Sequence, residues 1–159
     1  MSCFAMTPDW AFVADTVMGG VSQGQIGPDE GTEHAGMRLT GRVSLDNNGG
    51  FIQMASNMGV DGGDFDASAY RGVAFFARGN GETYAAGLRT SELSRPWQSY
   101  RAEFVTTPDW QWVEIPFSDF KTVNTERAFN AARLRRIGIL GIGRAFDVDV
   151  SVANLCLTA

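Results

Sequence analysis

A chain of 159 residues and 17.2 kDa is long enough to bury a full hydrophobic core as one domain, residues 1–159. Its 44 % hydrophobic content excludes general disorder. A net charge of −5 and a pI near 4.8 argue against a nucleic-acid binder, and no apolar run reaches the roughly 18 residues that span a bilayer.

Nineteen glycines call for many tight turns, hence short strands rather than long helices. A short apolar stretch at residues 10–14 runs into the glycine-rich corner Asp15-Thr16-Val17-Met18-Gly19-Gly20. Residues 37–45 read as a strand closed by Asp46-Asn47-Asn48-Gly49-Gly50, because Asn and Gly accept positive φ. Residues 51–55 lead away from that turn, and residues 59–68 form an acidic, glycine-rich loop ending in one helical turn. Strands follow at 73–78, 83–90, 99–106 and 111–116, separated by short turns. Connections this short exclude parallel neighbours, so a meander is expected. Residues 128–136 have the spacing of a short helix with Asn130 at its N-cap. The segments 137–143 and 146–157 close the fold. In the last, Phe146, Val148, Val150 and Val152 share one face and Asp147, Asp149 and Ser151 the other. The pattern is that of an all-β sandwich with one or two short helices.

The same parity outlines a surface. With Tyr84, Ala86, Leu88, Tyr100, Ala102 and Phe104 inward, Ala85, Gly87, Arg89, Arg101 and Glu103 point outward. Arg78, Trp112 and Glu114 join them if their strands are neighbours. Small residues flanked by arginine and an aromatic suit the floor of a shallow groove; the alternative is a solvated, salt-bridged sheet face.

Catalytic chemistry is not found. His34 is the only histidine, and no serine elbow accompanies it, so no catalytic residue is assigned. No glycine-rich phosphate cradle lies between a strand and a helix, and no cofactor is expected. Asp61, Asp64 and Asp66 offer hard oxygens for calcium but lack EF-hand spacing and read equally as a solvated acidic loop. The start of the chain has no basic and apolar leader, so the expected compartment is the cytoplasm. Cys3 and Cys156 are then two buried thiols, paired only under oxidation.

Two motifs carry a resemblance. Asp15-Thr16-Val17-Met18-Gly19-Gly20-Val21-Ser22 and Gly41-Arg42-Val43-Ser44-Leu45-Asp46-Asn47-Asn48-Gly49-Gly50-Phe51 resemble the opening segments of the complex I intermediate-associated protein 30 family. The similarity continues through Tyr70-Arg71-Gly72, Tyr84 to Thr90, Tyr100 to Phe104, and Trp112 to Phe120. The resemblance implies a galactose-binding-like jelly roll, a fold also used by family 11 carbohydrate-binding modules. It implies a factor that helps assemble respiratory complex I, here as a stand-alone relative. A non-enzymatic module with a protein partner is therefore expected, with a carbohydrate ligand as the alternative. The candidate face is Arg78, Arg89, Trp97, Gln98, Arg101, Glu103 and Trp112. In the sugar reading, Trp97, Tyr100 and Trp112 stack on rings while Arg89 and Gln98 donate hydrogen bonds. The motif loops contribute Asp15, Met18, Gly19, Gly20, Ser22, Asn47 and Asn48, either as turn-holding groups or as a ligand rim.

Overall fold

The computed structural model describes residues 3–29 and 33–159, without the side chains of Met18 and Asn48. Its strands are β1 (Cys3–Ala5), β2 (Ala11–Ala14), β3 (Gln23–Asp29), β4 (Gly36–Val43), β5 (Phe51–Asn57) and β6 (Gly72–Gly79). They continue as β7 (Thr83–Thr90), β8 (Ser99–Val105), β9 (Gln111–Pro116), β10 (Lys121–Val123), β11 (Leu134–Ile142) and β12 (Phe146–Thr158). All pair antiparallel in two sheets. One runs β3-β4-β12-β6-β9, with β1 continuing alongside the end of β12; the other runs β10-β8-β7-β11-β5-β2. This is a jelly-roll sandwich.

The expected meander is not what forms. β6 and β9 pair in the first sheet, β7 and β8 in the second, so the chain changes sheets after β6 and again after β8. A tight connection such as 80–82, with Gly81 at φ 87°, can cross the ~10 Å between packed sheets as readily as it folds back within one. The helix expected over 128–136 is likewise reduced to one 3₁₀ turn, Ala131–Arg133. Asn130 does cap it, its Oδ1 accepting from the Ala132 amide at 3.1 Å. β11 begins at Leu134 because a register shift before Arg136 lets both Leu134 and Ile137 face the core. Pairing with β7 and burial outweigh a marginal short helix.

Between the sheets, Leu39, Val43, Val73, Phe75, Val148, Val150 and Val152 meet Ile52, Met54, Tyr84, Leu88, Tyr100, Ile137 and Ile139. The alternation in β12 holds up to Ala153. Asn154, at φ 56°, forms a bulge that flips the parity, so Leu155 and Leu157 also reach the core. Among the described residues, no helix is long and apolar enough to cross a membrane.

The two cysteines are not buried free thiols. Cys3 is exposed and bonded to Cys156 across the β1–β12 ladder, with Cα atoms 5.6 Å apart. Sequence distance hid this: the bond spans 153 positions, and only the sheet topology places β1 beside β12. Alkylation under denaturing, non-reducing conditions is expected to label neither cysteine of the oxidised protein. Reduction should expose both and lower stability by about 2–5 kcal/mol; two thiols labelled without reductant would contradict the bond.

Candidate functional site

The motif around Asp15 folds back on the motif ending at Phe51. Asp15 opens a 3₁₀ turn, Asp15–Met18, and its carboxylate is fully buried. It accepts from the Ser22 amide at 3.0 Å, the Ser22 hydroxyl at 2.5 Å, the Gly50 amide at 2.6 Å and the Phe51 amide at 3.2 Å. The Ser22 hydroxyl in turn accepts from the Ser44 amide at 2.9 Å. A Cβ at Gly20 would overlap the Asp15 carboxyl, and one at Gly49 would lie 2.5 Å from its Oδ2, so both glycines are there for close approach. Burial alone would raise the Asp15 pKa. The hydrogen bonds from Ser22, Gly50 and Phe51 more than reverse that and hold it below the ordinary value.

This knot supports one end of a groove of about 670 Å³ on the outer face of the second sheet. Side chains of that face come in rows across the strands. One row reads Arg101 on β8, Gly87 on β7, Gly138 on β11 and Ala55 on β5, from the registers of those pairs. Three consecutive strands thus offer nothing larger than a methyl, which makes the floor. The next row pairs Arg89 with Arg136, and the row on the other side pairs Ala85 with Leu140 and Leu140 with Gln53. Val17 and Leu45, from the two motif loops, stand at one rim; Pro96, Trp97, Gln98 and Asn124 stand at another.

The rim loop is fastened from below. Arg89 Nη1 donates to the carbonyls of Arg95 at 3.2 Å, Pro96 at 2.7 Å and Gln98 at 3.0 Å. Gln98 Oε1 accepts from the Ser94 and Arg95 amides, its Nε2 donates to the Asn124 carbonyl, and Asn124 Nδ2 donates to the Trp97 carbonyl. Trp97 is left 55 % exposed at the mouth of the groove. Burial lowers the pKa of Arg89, with the charges of Arg136 and Arg135 adding to it, and burial lowers that of Arg101.

The structure therefore brings together Arg89, Trp97, Gln98 and Arg101, with Glu103 on the same sheet face. It places Arg78, Trp112 and Glu114 on the first sheet, because β6 and β9 are not neighbours of β7 and β8; Arg78 and Trp112 are thereby separated from the groove, while Glu114 borders the depression beside Arg101 and Glu103. On the first sheet Arg78 pairs with Asp29 at 2.7 Å beneath Trp110, and Trp112 packs on Phe76 while donating to Glu114 at 3.0 Å. Tyr100, offered as a stacking ring, is buried in the core with its hydroxyl on the Arg127 carbonyl. Arg89 and Gln98, offered as sugar donors, hold the rim loop instead. In the motif loops, Asp15 and Ser22 bond to backbone, Gly19 (φ 89°) and Asn47 (φ 56°) take left-handed turn positions, and Gly20 makes room for Asp15. Met18 and Asn48 have side chains outside the described residues. The three loop aspartates do not converge: Asp64 takes Arg133, Arg135 and Ser91, Asp66 takes Ser68, and no three described His, Cys, Asp or Glu residues could hold a metal. Sequence reading passed over Gly138, Arg136, Gln53 and Leu45; the alternation in β11, starting one bulge earlier than expected, was the available signal.

Residues 4–151 match the family profile of complex I intermediate-associated protein 30. The chain belongs to that family. No curated protein matches it closely. In solved structures it is similar to the family 11 carbohydrate-binding module of Clostridium thermocellum in complex with a β-1,3-1,4-mixed-linked tetrasaccharide. The TM-score is 0.76 at 13 % identity, over 99 % of this chain and 95 % of that one. It is also similar to the family 30 module of a cellulosomal cellulase of Clostridium thermocellum, with a TM-score of 0.68 at 17 % identity over 100 % and 98 %. At these identities the likeness shows the jelly-roll fold alone.

A depressed carboxyl contributes stability above its unfolded pKa near 4, and that contribution is lost as pH falls through the folded value. Asp15→Asn should cost about 2–4 kcal/mol at neutral pH, since an amide puts donors where four donors already point. Thermal melts between about pH 5 and 3 should show a shallower decline in the variant than in the wild type. The decline should not vanish, because Asp29, whose carboxyl Arg78 also holds below the ordinary value against its burial, likewise loses its contribution on acidification. Parallel curves would show that Asp15 carries no charge-dependent stability.

Proposed function

We propose that this chain is a non-enzymatic binding module of the assembly-factor kind, holding a subunit of respiratory complex I in its groove. The observation that carries the reading is the rim. Val17, Leu45 and Trp97, 75 %, 52 % and 55 % exposed, stand around one glycine-floored trough instead of being scattered. Such a ring of apolar side chains, fastened by Asp15 below one rim and by Arg89 below the other, suits a protein segment laid along the floor. Family membership supplies the class of partner.

A second reading is favoured by one feature, the exposed indole of Trp97 beside Gln98 and Asn124. That combination suits a sugar ring, and the similar family 11 module is a tetrasaccharide complex. The readings separate experimentally. Immobilised protein passed over detergent-solubilised respiratory membranes from its own cells should retain complex I subunits. Gly138→Leu, which fills the floor against the flexible end of Gln53 in ordinary strand backbone, should fold and retain none. Failure of the wild type to retain them would end the assembly reading. Millimolar or tighter binding of the mixed-linked tetrasaccharide, abolished by Trp97→Ala in calorimetry, would put the sugar reading in its place.

A further inference from the structure

The groove has a charge that the chain as a whole does not share. With a net charge of −5, the protein lines this trough with Arg89, Arg101 and Arg136 and, among the described residues, with no Asp or Glu. Most arginines elsewhere are matched: Arg38, Arg42, Arg78, Arg127, Arg133, Arg135 and Arg144 each lie within ion-pair distance of a carboxylate, the exceptions being Arg71 and Arg95, the latter over the Trp97 ring. None of the three groove arginines does. Arg89 is occupied with the rim loop, but the side chains of Arg101 and Arg136 make no hydrogen bond or ion pair with the described residues. Arg101 is the sharper case, because its Nε is buried without any partner. Arg101 also borders a neighbouring depression lined by Glu103, Glu114, Asp119 and Lys121, yet none of those carboxylates comes within ion-pair distance of it, and Lys121 stands opposite it on β10.

An unpaired, half-buried guanidinium beside two more is costly unless something else supplies the anion. Removing Arg101 would relieve the cost of its burial rather than break a contact. We propose that the groove takes an extended acidic segment of a protein partner, a side-chain carboxylate of which is received by Arg101 and Arg136 at the edge of the Gly87–Gly138 floor. This rests on the protein-binding reading and adds to it the chemistry of the segment. Arg101 on β8 and Arg136 on β11 lie one row and two strands apart on one sheet face, with Gly87 of β7 leaving the space between them open to a planar carboxylate that can meet a guanidinium fork, and with Val17, Leu45 and Trp97 covering apolar neighbours of the acid.

The test uses end-capped, fluorescently labelled tetraglutamate and tetraglutamine against the full chain. At low salt tetraglutamate should bind at least tenfold more tightly. That margin should shrink towards about 1 M salt, where the screening length is about 3 Å. Arg101→Gln should lose about tenfold in tetraglutamate binding, Arg101→Lys should recover part of it, and Arg101→Gln should melt no lower than the wild type, since it gives up no partner. Gly138→Leu should abolish binding. Equal binding of the two peptides, no binding of either, or an unchanged Arg101→Gln would overturn the proposal. So would tetragalacturonate binding more tightly than tetraglutamate, which would make the anion a sugar acid. Retention of complex I subunits that survives Arg101→Gln but is lost in Gly138→Leu would leave the assembly reading standing and remove this one.

Discussion

One buried carboxylate fixes the geometry on which the groove depends. Asp15 gathers four hydrogen bonds from two segments far apart in sequence, Ser22 on one side and Gly50–Phe51 on the other. Each donor is short-range and polar, yet together they set where β5 begins and therefore where Phe51 and Gln53 enter the second sheet. The same clamp brings Val17 and Leu45, one from each loop, to the same rim. A fully buried charge is tolerated because every bond to it is charge-assisted and both loops lose their freedom in one event. Glycine is required at positions 20 and 49 because the clamp leaves no room for a side chain beside the carboxyl.

The groove itself follows from what the second sheet does not carry. Its inner face is packed with large residues such as Tyr84, Leu88, Tyr100, Ile137 and Ile139, while the middle of its outer face has Gly87, Gly138 and Ala55 in register. Strand glycines cost stability, since they add backbone entropy to the unfolded chain and bury little. Placing two side by side on adjacent strands, at ordinary strand dihedrals, has no turn or bulge to explain it. Their effect is a depression, and the arginines and the tryptophan stand at its edges.

Much of this was legible in the sequence, and the boundary of legibility has a physical origin. Period-two alternation gave the inward and outward sets of β7, β8 and the first half of β12, because each strand packs one face on the core. The Asp-Asn-Asn-Gly-Gly turn and the Asn130 cap were legible because their bonds are local. What alternation does not contain is which strands are neighbours. Arg78 and Trp112 have the right parity for a shared surface and the wrong sheet, and Cys3 finds Cys156 only through a ladder between distant strands. The position of β11 was missed for a related reason, since its bulge between Leu134 and Arg136 replaces helical spacing with two inward residues three apart. The role of Asp15 was half visible: glycines beside short polar residues announced a held turn, but not that the carboxyl would hold the other motif as well.

The placement of β12 has a consequence for synthesis. It is the final strand of the fold, yet it lies in the middle of the first sheet, hydrogen-bonded to β4 on one side and β6 on the other. While the chain leaves the ribosome, β4 and β6 each present an open edge with no permanent neighbour between them, and only residues 146–158 can close the gap. The first sheet is thus completed in a single late step, over contacts of the long sequence separation that slows folding. Until that step the nascent chain offers two unpaired, apolar strand edges, the kind of surface that holding chaperones protect and that aggregation exploits.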